Sequence, residues 1–332
     1  MTDARYMVYI SRMNKKHKQS QDDELNLISL AQDYSDENKA RELFESWRWP
    51  NGPVCPHCKH DEVYKLTSKP TTKAKNKMRP GLYCCAACRK TFSATVGTVF
   101  EDSHIPIGKW LLAVFILCSS KKSISANQLH RMLKVTYKTA WFMAHRIRFA
   151  MGPDSKPPKM LTGTVEVDET YIGPRSDIHH SKSSKDSVVA LIQRDGPMHT
   201  RIVSNITHKN AGQMIRECVS KDAVLNTDQH GAYRGRFKDF KRHDVVNHSK
   251  FEYSRTNEDG TKSGINTCES FFSLFKRGIV GSWHHISREH LPKYANEFEF
   301  RWNTRKDTDG ERMEKFLPMV EGRRLMYRKP LN

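Results

Sequence analysis

Apolar positions along the first half of the chain recur every three or four residues, and near residue 160 the period drops to two. Ala40, Leu43, Phe44 and Trp47 fall on one helical face, which Ser35 or Asp36 caps and Trp49-Pro50-Asn51-Gly52-Pro53 ends. Residues 110–118 are nearly all apolar, too short to cross a bilayer, and predict a buried helix. Residues 123–133 and 138–151 predict two helices joined near Val135-Thr136. Leu129, Leu133, Val135, Ala140, Ala144 and Ile147 form their apolar stripe, with Lys134, Lys138, Arg146 and Arg148 outside it. This pattern fits a helix-turn-helix-like unit whose second helix enters a major groove. The plainer alternative is a helical pair with a solvated basic face.

Beyond the linker Gly152-Pro153-Asp154-Ser155-Lys156-Pro157-Pro158, the pattern switches to strands, predicted over 164–172, 187–194 and 200–206. A helix over 211–219, a strand over 223–227, a short strand over 244–247 and a helical tract from about residue 267 follow. Three strands, a helix, a strand and later helices is the order of an RNase H-like α/β domain with a mixed sheet and flanking helices. The expected division is a flexible arm over 1–34, a helix plus ribbon over 35–104, a helical DNA-binding region over 105–152, the α/β domain over 153–305 and a basic tail over 306–332.

Charge changes this picture by naming a partner. The 332 residues carry a formal net charge of +19, which favours a polyanion. The excess is uneven: residues 63–153 hold sixteen Lys and Arg against two acids, Glu101 and Asp102. No apolar leader is visible, so a cytoplasmic, nucleoid-associated protein with no membrane partner and no small-molecule substrate is expected.

Cys55-Pro56-His57-Cys58 and Cys85-Ala86-Ala87-Cys88 are two C-x-x-C pairs, and four thiolates from such turns complete a tetrahedral Zn²⁺ site. Cys84 competes with Cys85, but Tyr83-x-Cys85-x-x-Cys88 keeps the two-residue gap. A Lys-, Thr- and Ser-rich excursion over 67–78 separates the pairs. His57 and His60 are expected to be exposed loop residues, and Cys118, Cys218 and Cys268 buried thiols.

Three carboxylates stand in settings suited to metal chemistry. Asp168 lies mid-strand with apolar flanks, sharing a face with Glu166 and Thr170; Val165, Val167 and Glu169 take the other. Asp228 leaves the end of a strand, and Glu269 opens an apolar helix with Lys276 two turns on, nearly on the same face. Alternatives remain for each: a salt-bridged strand acid, a turn aspartate, or a glutamate favoured by the helix dipole. Glu166 and Glu169 are expected to be salt-bridged bystanders. Phe271, Phe272, Phe275, Phe298, Phe300 and Trp302 read as core.

The stretches Val167-Asp168-Glu169-Thr170-Tyr171-Ile172-Gly173, Thr227-Asp228, Glu269 through Lys276-Arg277-Gly278-Ile279, Trp283-His284-His285-Ile286-Ser287 and Asn296 to Asn303 resemble the ISXO-two-like group of insertion-sequence transposases. Residues 49–58 resemble its zinc ribbon. The resemblance implies a DDE-type transposase with catalytic residues Asp168, Asp228, Glu269 and Lys276, the three acids holding two Mg²⁺ or Mn²⁺ ions. It further implies one structural Zn²⁺ on Cys55, Cys58, Cys85 and Cys88. DNA contacts are expected from Lys134, Lys138, Arg146, Arg148, Lys276 and Arg277. Such an enzyme binds terminal inverted repeats, cuts the strand, joins it to target DNA, and works as a homodimer or higher oligomer on DNA. Two other functions share these features: a zinc-ribbon regulator with an inactive nuclease-like domain, and a structure-specific nuclease without strand transfer. His284 or His285 could contact DNA or orient a ligand. The long insert and the doubled Cys84-Cys85 depart from the family pattern.

Overall fold

The structure is a computed structural model and describes residues 25–67, 80–153, 157–173, 186–233, 235 and 237–326. Most of the expected N-terminal arm, all but Thr67 of the Lys-rich excursion and part of the linker lie outside these. The chain forms two compact units: one from 1–120, 126–150 and 306–332, the other from 121–125 and 151–305.

In the first unit, helix α1 (Leu27–Asp33) is followed by α2 (Glu37–Arg48), whose Asp36 side chain accepts the N–H of Asn38 at 2.7 Å. The ribbon is a small antiparallel sheet of β1 (Val63–Lys65), β2 (Leu82–Cys85) and β3 (Thr91–Ser93). Beyond β3 the chain turns, with the Thr98 hydroxyl donating to Thr95 O at 2.6 Å. Helix α3 (Ile107–Ser119) is the hub, with Trp110, Leu111, Val114 and Leu117 buried. It has no side-chain cap of its own. Glu37 supplies one, accepting the N–H groups of Ile107 (2.8 Å) and Gly108 (3.3 Å). Gly108 is needed there because a Cβ would stand 2.5 Å from Tyr34 O.

Helices α4 (Ala126–Leu133) and α5 (Tyr137–Ala150) follow, joined by a turn with Lys134 in the left-handed region (φ 49°). Lys134 and Lys138 are exposed. The expectation that Arg146 and Arg148 contact DNA from a basic face needs correction: although off the apolar stripe, they are only 6% and 1% exposed. The second half of α5 is enclosed on more than one side. Arg146 donates to Glu101 O (2.8 Å) and Leu325 O (3.2 Å), and Arg323 donates to Phe149 O at 3.0 Å. The segment expected as a tail supplies part of that cover. Its residues Asp309–Phe316 form α9, capped by Thr308 and packed on α3.

The second unit is a five-stranded mixed sheet. Its strands are β4 (Thr164–Ile172), β5 (Asp186–Gln193), β6 (Met198–Val203), β7 (Val224–Thr227) and β8 (Arg242–Val245), in the order β6-β5-β4-β7-β8. β5 runs antiparallel to both β4 and β6, while β7 is parallel to β4 and β8. One face buries Val165, Val167, Val189 and Leu225 against α6 (His208–Cys218), Tyr233 and Phe237. The other buries Val188, Ala190 and Ile192 against α7 (Asn266–Gly278) and α8 (Leu291–Asn303). The result is a layered α/β/α arrangement. Phe271, Phe272, Phe275 and Phe298 form the α7–α8 contact, as their spacing predicts. A hairpin of β9 (Ser254–Thr256) and β10 (Lys262–Gly264) precedes α7; no alternating pattern announces it. Among the described residues no helix is long and apolar enough to cross a membrane.

Candidate active site and metal centre

β4 is the element that positions the acidic cluster. Val167 pairs with Thr227, so Asp168 and Asp228 follow at one level on neighbouring strands. Asp168 faces α7, and Glu169 faces the α6 side, where the Tyr233 hydroxyl donates to it at 2.6 Å and His230 Nε2 lies 4.0 Å away. Asp228 closes a turn by accepting the N–H of His230 at 2.9 Å.

Helix α7 brings Glu269 to Asp168, although it too lacks a cap of its own. Glu166, one turn of the pleat before Asp168 and 1% exposed, serves instead. Its carboxylate accepts the N–H groups of Thr267 (2.7 Å) and Cys268 (3.2 Å) and the Thr267 hydroxyl (2.9 Å). Arg194 Nε donates to it at 2.7 Å while the same guanidinium reaches the carbonyls of Lys262 and Gly264. The expected salt bridge of Glu166 is present, but the residue also fixes the start of the helix that carries Glu269. No spacing rule could have signalled this, because donor and acceptor lie about a hundred residues apart. Glu169 likewise is a hydrogen-bonded member of the acidic group.

A cavity of about 630 Å³ opens between β4 and α7, lined by Asp168, Glu169, Glu269, Lys276 and Arg277 among others. Asp228 borders this group without lining the cavity, and its charge is felt at Asp168. Burial pushes the Asp168 carboxyl up to about 7; the Glu169 N–H lowers it in part, and the charges of Glu169, Asp228 and Glu269 add to the rise. Burial likewise raises Glu169. Such a group of carboxylates calls for a cation. Lys276 and Arg277 supply some positive charge at the exposed end of α7. The three carboxylates Asp168, Asp228 and Glu269 do not all approach within 4.8 Å of one another. His248, which sequence reasoning passed over, stands 3.8 Å from Glu269. His284 and His285 are exposed and do not line the cavity.

In the ribbon, the sulfurs of Cys55, Cys58, Cys85 and Cys88 lie within 4.8 Å of one another, the only such group of three or more potential ligands among the described residues. Cys55 and Cys88 are 3.7 Å apart, Cys58 and Cys85 3.5 Å. The two C-x-x-C turns have the same form. Lys59 N–H donates to Cys55 O and Arg89 N–H to Cys85 O, and both residues are left-handed (φ 64° and 59°). Cys84 takes the other face of β2, its thiol directed to Arg89 O at 3.8 Å. Burial raises the Cys55 thiol, but the N–H groups of Cys58 and His57 outweigh it and bring it to about 7. The Cys88 N–H lowers Cys85. At Cys58 the His60 N–H lowers, yet burial and the neighbouring sulfurs prevail and push it up to about 12. Four thiols this close cannot all ionise without a cation, which is the donor set of a structural Zn²⁺. His57 and His60 are exposed, and Cys118, Cys218 and Cys268 are buried thiols outside any disulfide.

Both features lie within stretches that match transposase domains. Residues 160–303 match the ISXO2-like transposase domain and residues 35–91 the transposase zinc-ribbon domain, and the chain belongs to the ISXO2-like transposases of insertion sequences. Among its relatives is a protein described as uncharacterized in transposable element ISH50 of Halobacterium salinarum. It is 29% identical over 286 residues, covering 80% of this chain and 90% of the relative. A fainter likeness, at 10% identity and a TM-score of 0.24, is to the Drosophila P element transposase strand transfer complex. It covers 64% of this chain and 63% of that one.

Proposed function

We propose that this transposase cuts the ends of its insertion sequence and joins them to target DNA, using a DDE-type site on an RNase H-like domain. The observation that carries this is the meeting of Asp168, Glu269 and Lys276 at one cavity, with Asp228 on the adjoining strand end. Asp168, Asp228 and Glu269 hold Mg²⁺ or Mn²⁺, hard ions that suit carboxylate oxygens. When bound, two such ions polarise the phosphodiester and activate the attacking oxygen. Glu166 and Arg194 hold α7 so that Glu269 stays over β4, and Lys276 and Arg277 bind phosphate oxygens. The ribbon cysteines hold one Zn²⁺. Lys134 and Lys138, exposed around the α4–α5 turn, contact the terminal repeats as part of a helix-turn-helix-like region; the buried Arg146 and Arg148 support that helix from inside. Functionally, residues 35–104 and 105–152 recognise DNA and 153–305 carry out catalysis. Two element ends must be joined, so at least a dimer assembles on DNA.

The test is strand transfer on terminal-repeat DNA with Mg²⁺. Asp168→Asn is expected to keep end binding and lose cleavage. Full cleavage by that variant removes Asp168 from the site, and cleavage without joined product makes the protein a nuclease only.

A further inference from the structure

Phe251 is the most exposed large apolar side chain among the described residues, at 82%. It is also left-handed (φ 59°, ψ 22°), a backbone state that bulky residues rarely adopt. The turn around it is over-determined. Asn247 O accepts from Lys250 (3.0 Å) and Glu252 (3.1 Å), His248 O accepts from Phe251 (3.0 Å), and Asn247 N–H donates to the Glu252 carboxylate (3.0 Å).

This turn is fastened to the acidic cluster on two sides. Gln229, the neighbour of Asp228, accepts the His248 N–H at 3.0 Å and donates to the Ser249 hydroxyl at 3.2 Å. The His248 ring lies 3.8 Å from Glu269 and 5.3 Å from the ring of Tyr253, itself 53% exposed. Lys250 is exposed beside Phe251, and Lys276 and Arg277 line the cavity. Exposing a phenyl ring on a strained backbone opposes folding, so a ligand is the natural reason for holding it there. Cations beside exposed aromatic rings fit a nucleic-acid strand, whose phosphates and base faces they complement. Base faces inside a duplex are covered by their neighbours, so the occupant must be unstacked.

Resting on the transposase function above, we infer that Phe251, with Tyr253 beside it, is a stacking platform for an unpaired nucleobase next to the phosphodiester held at the acidic site. Phe251 binds the base and does not take part in bond breaking.

The test uses full-length, zinc-loaded protein without divalent catalytic ions, so that binding is read without cleavage. The probes are a single-stranded oligodeoxythymidylate carrying one 2-aminopurine and the duplex of the same sequence. Phe251→Ala and Phe251→Gly are expected to bind the single strand about tenfold more weakly and to lose quenching of the 2-aminopurine, with duplex affinity nearly unchanged. Glycine suits the left-handed backbone, so its loss of binding cannot come from misfolding. Phe251→Trp should keep affinity, with its own fluorescence quenched by the single strand. Unchanged single-strand affinity in both ring-less variants overturns the inference. So does a loss confined to self-association, which would assign the ring to a second copy of the chain. Failure of wild-type strand transfer with intact quenching would count against the transposase function alone.

Discussion

Replacing Glu166 by alanine removes one carboxylate and leaves four donors without it: the N–H groups of Thr267 and Cys268, the Thr267 hydroxyl and Arg194 Nε. The carboxylate is 1% exposed and Arg194 30%, so the freed guanidinium recovers part of its hydration while the helix start recovers less. Removing one partner of a buried ion pair costs about 3–5 kcal/mol. The same range follows from two to three charge-assisted hydrogen bonds at about 1.5 kcal/mol each. With a urea slope near ~2 kcal/mol per molar, the midpoint of the unit containing residues 151–305 should fall by about 2 M. Arg194→Ala should cost less, about 1–3 kcal/mol, because the helix donors still compensate the carboxylate. The double variant should show a coupling of at least about 1 kcal/mol. Amide exchange at Thr267 and Cys268 should quicken in Glu166→Ala while β5 amides keep their order of protection. A loss below about 1 kcal/mol, or unchanged exchange at those two amides, would refute Glu166 as the anchor of α7.

Other consequences follow from the same structure. The folded Asp168 carboxyl sits at about 7 against 3.8 for the free group. Between those values the unfolded chain loses the proton while the folded one keeps it, so metal-free protein should lose stability as pH rises from about 4 to 7. Asp168→Asn should therefore raise the metal-free stability by about 1–3 kcal/mol at pH 8, read by thermal melting with and without Mn²⁺. Cys55→Ser should lose the bound zinc by atomic absorption while the α/β unit stays folded, whereas Cys84→Ser, which alters a thiol outside the cluster, should retain one zinc per chain. Lys134→Ala and Lys138→Ala should each lower the salt slope of DNA binding by about 1. Arg146→Ala should instead destabilise the first unit by about 2–4 kcal/mol, as chemical denaturation would report.

Patterns repeated at short range told most of this protein in advance. The alternation of β4, the continuous apolar run of β5, the 3.6-residue stripe of α7 with Phe271, Phe272 and Phe275, and the doubled C-x-x-C turns are local consequences of where apolar and thiol groups fall. The choice of Cys85 over Cys84 follows from strand alternation and the two-residue gap. The acids Asp168, Asp228 and Glu269 could be singled out because each sits at a defined place in its own element. That Asp168 and Glu269 share a cavity with Asp228 beside it depends on the β4–β7 register and on α7 packing over β5, which sequence order implies but does not fix.

Tertiary structure alone decided the rest, because the groups involved are far apart in the chain. Arg146 and Arg148 read as a basic face by helical period, yet residues 101 and 323–325 enclose that side of α5. Glu166 looks like any strand acid until Thr267 and Cys268 arrive from a hundred residues away. The β9–β10 hairpin and the Phe251 turn carry no periodic signal and are held by side-chain hydrogen bonds to distant elements. Sequence specifies contacts by local period where one face is buried; it is silent where a helix is covered on several sides or capped from another strand, since partner identity there is set by how the chain folds back.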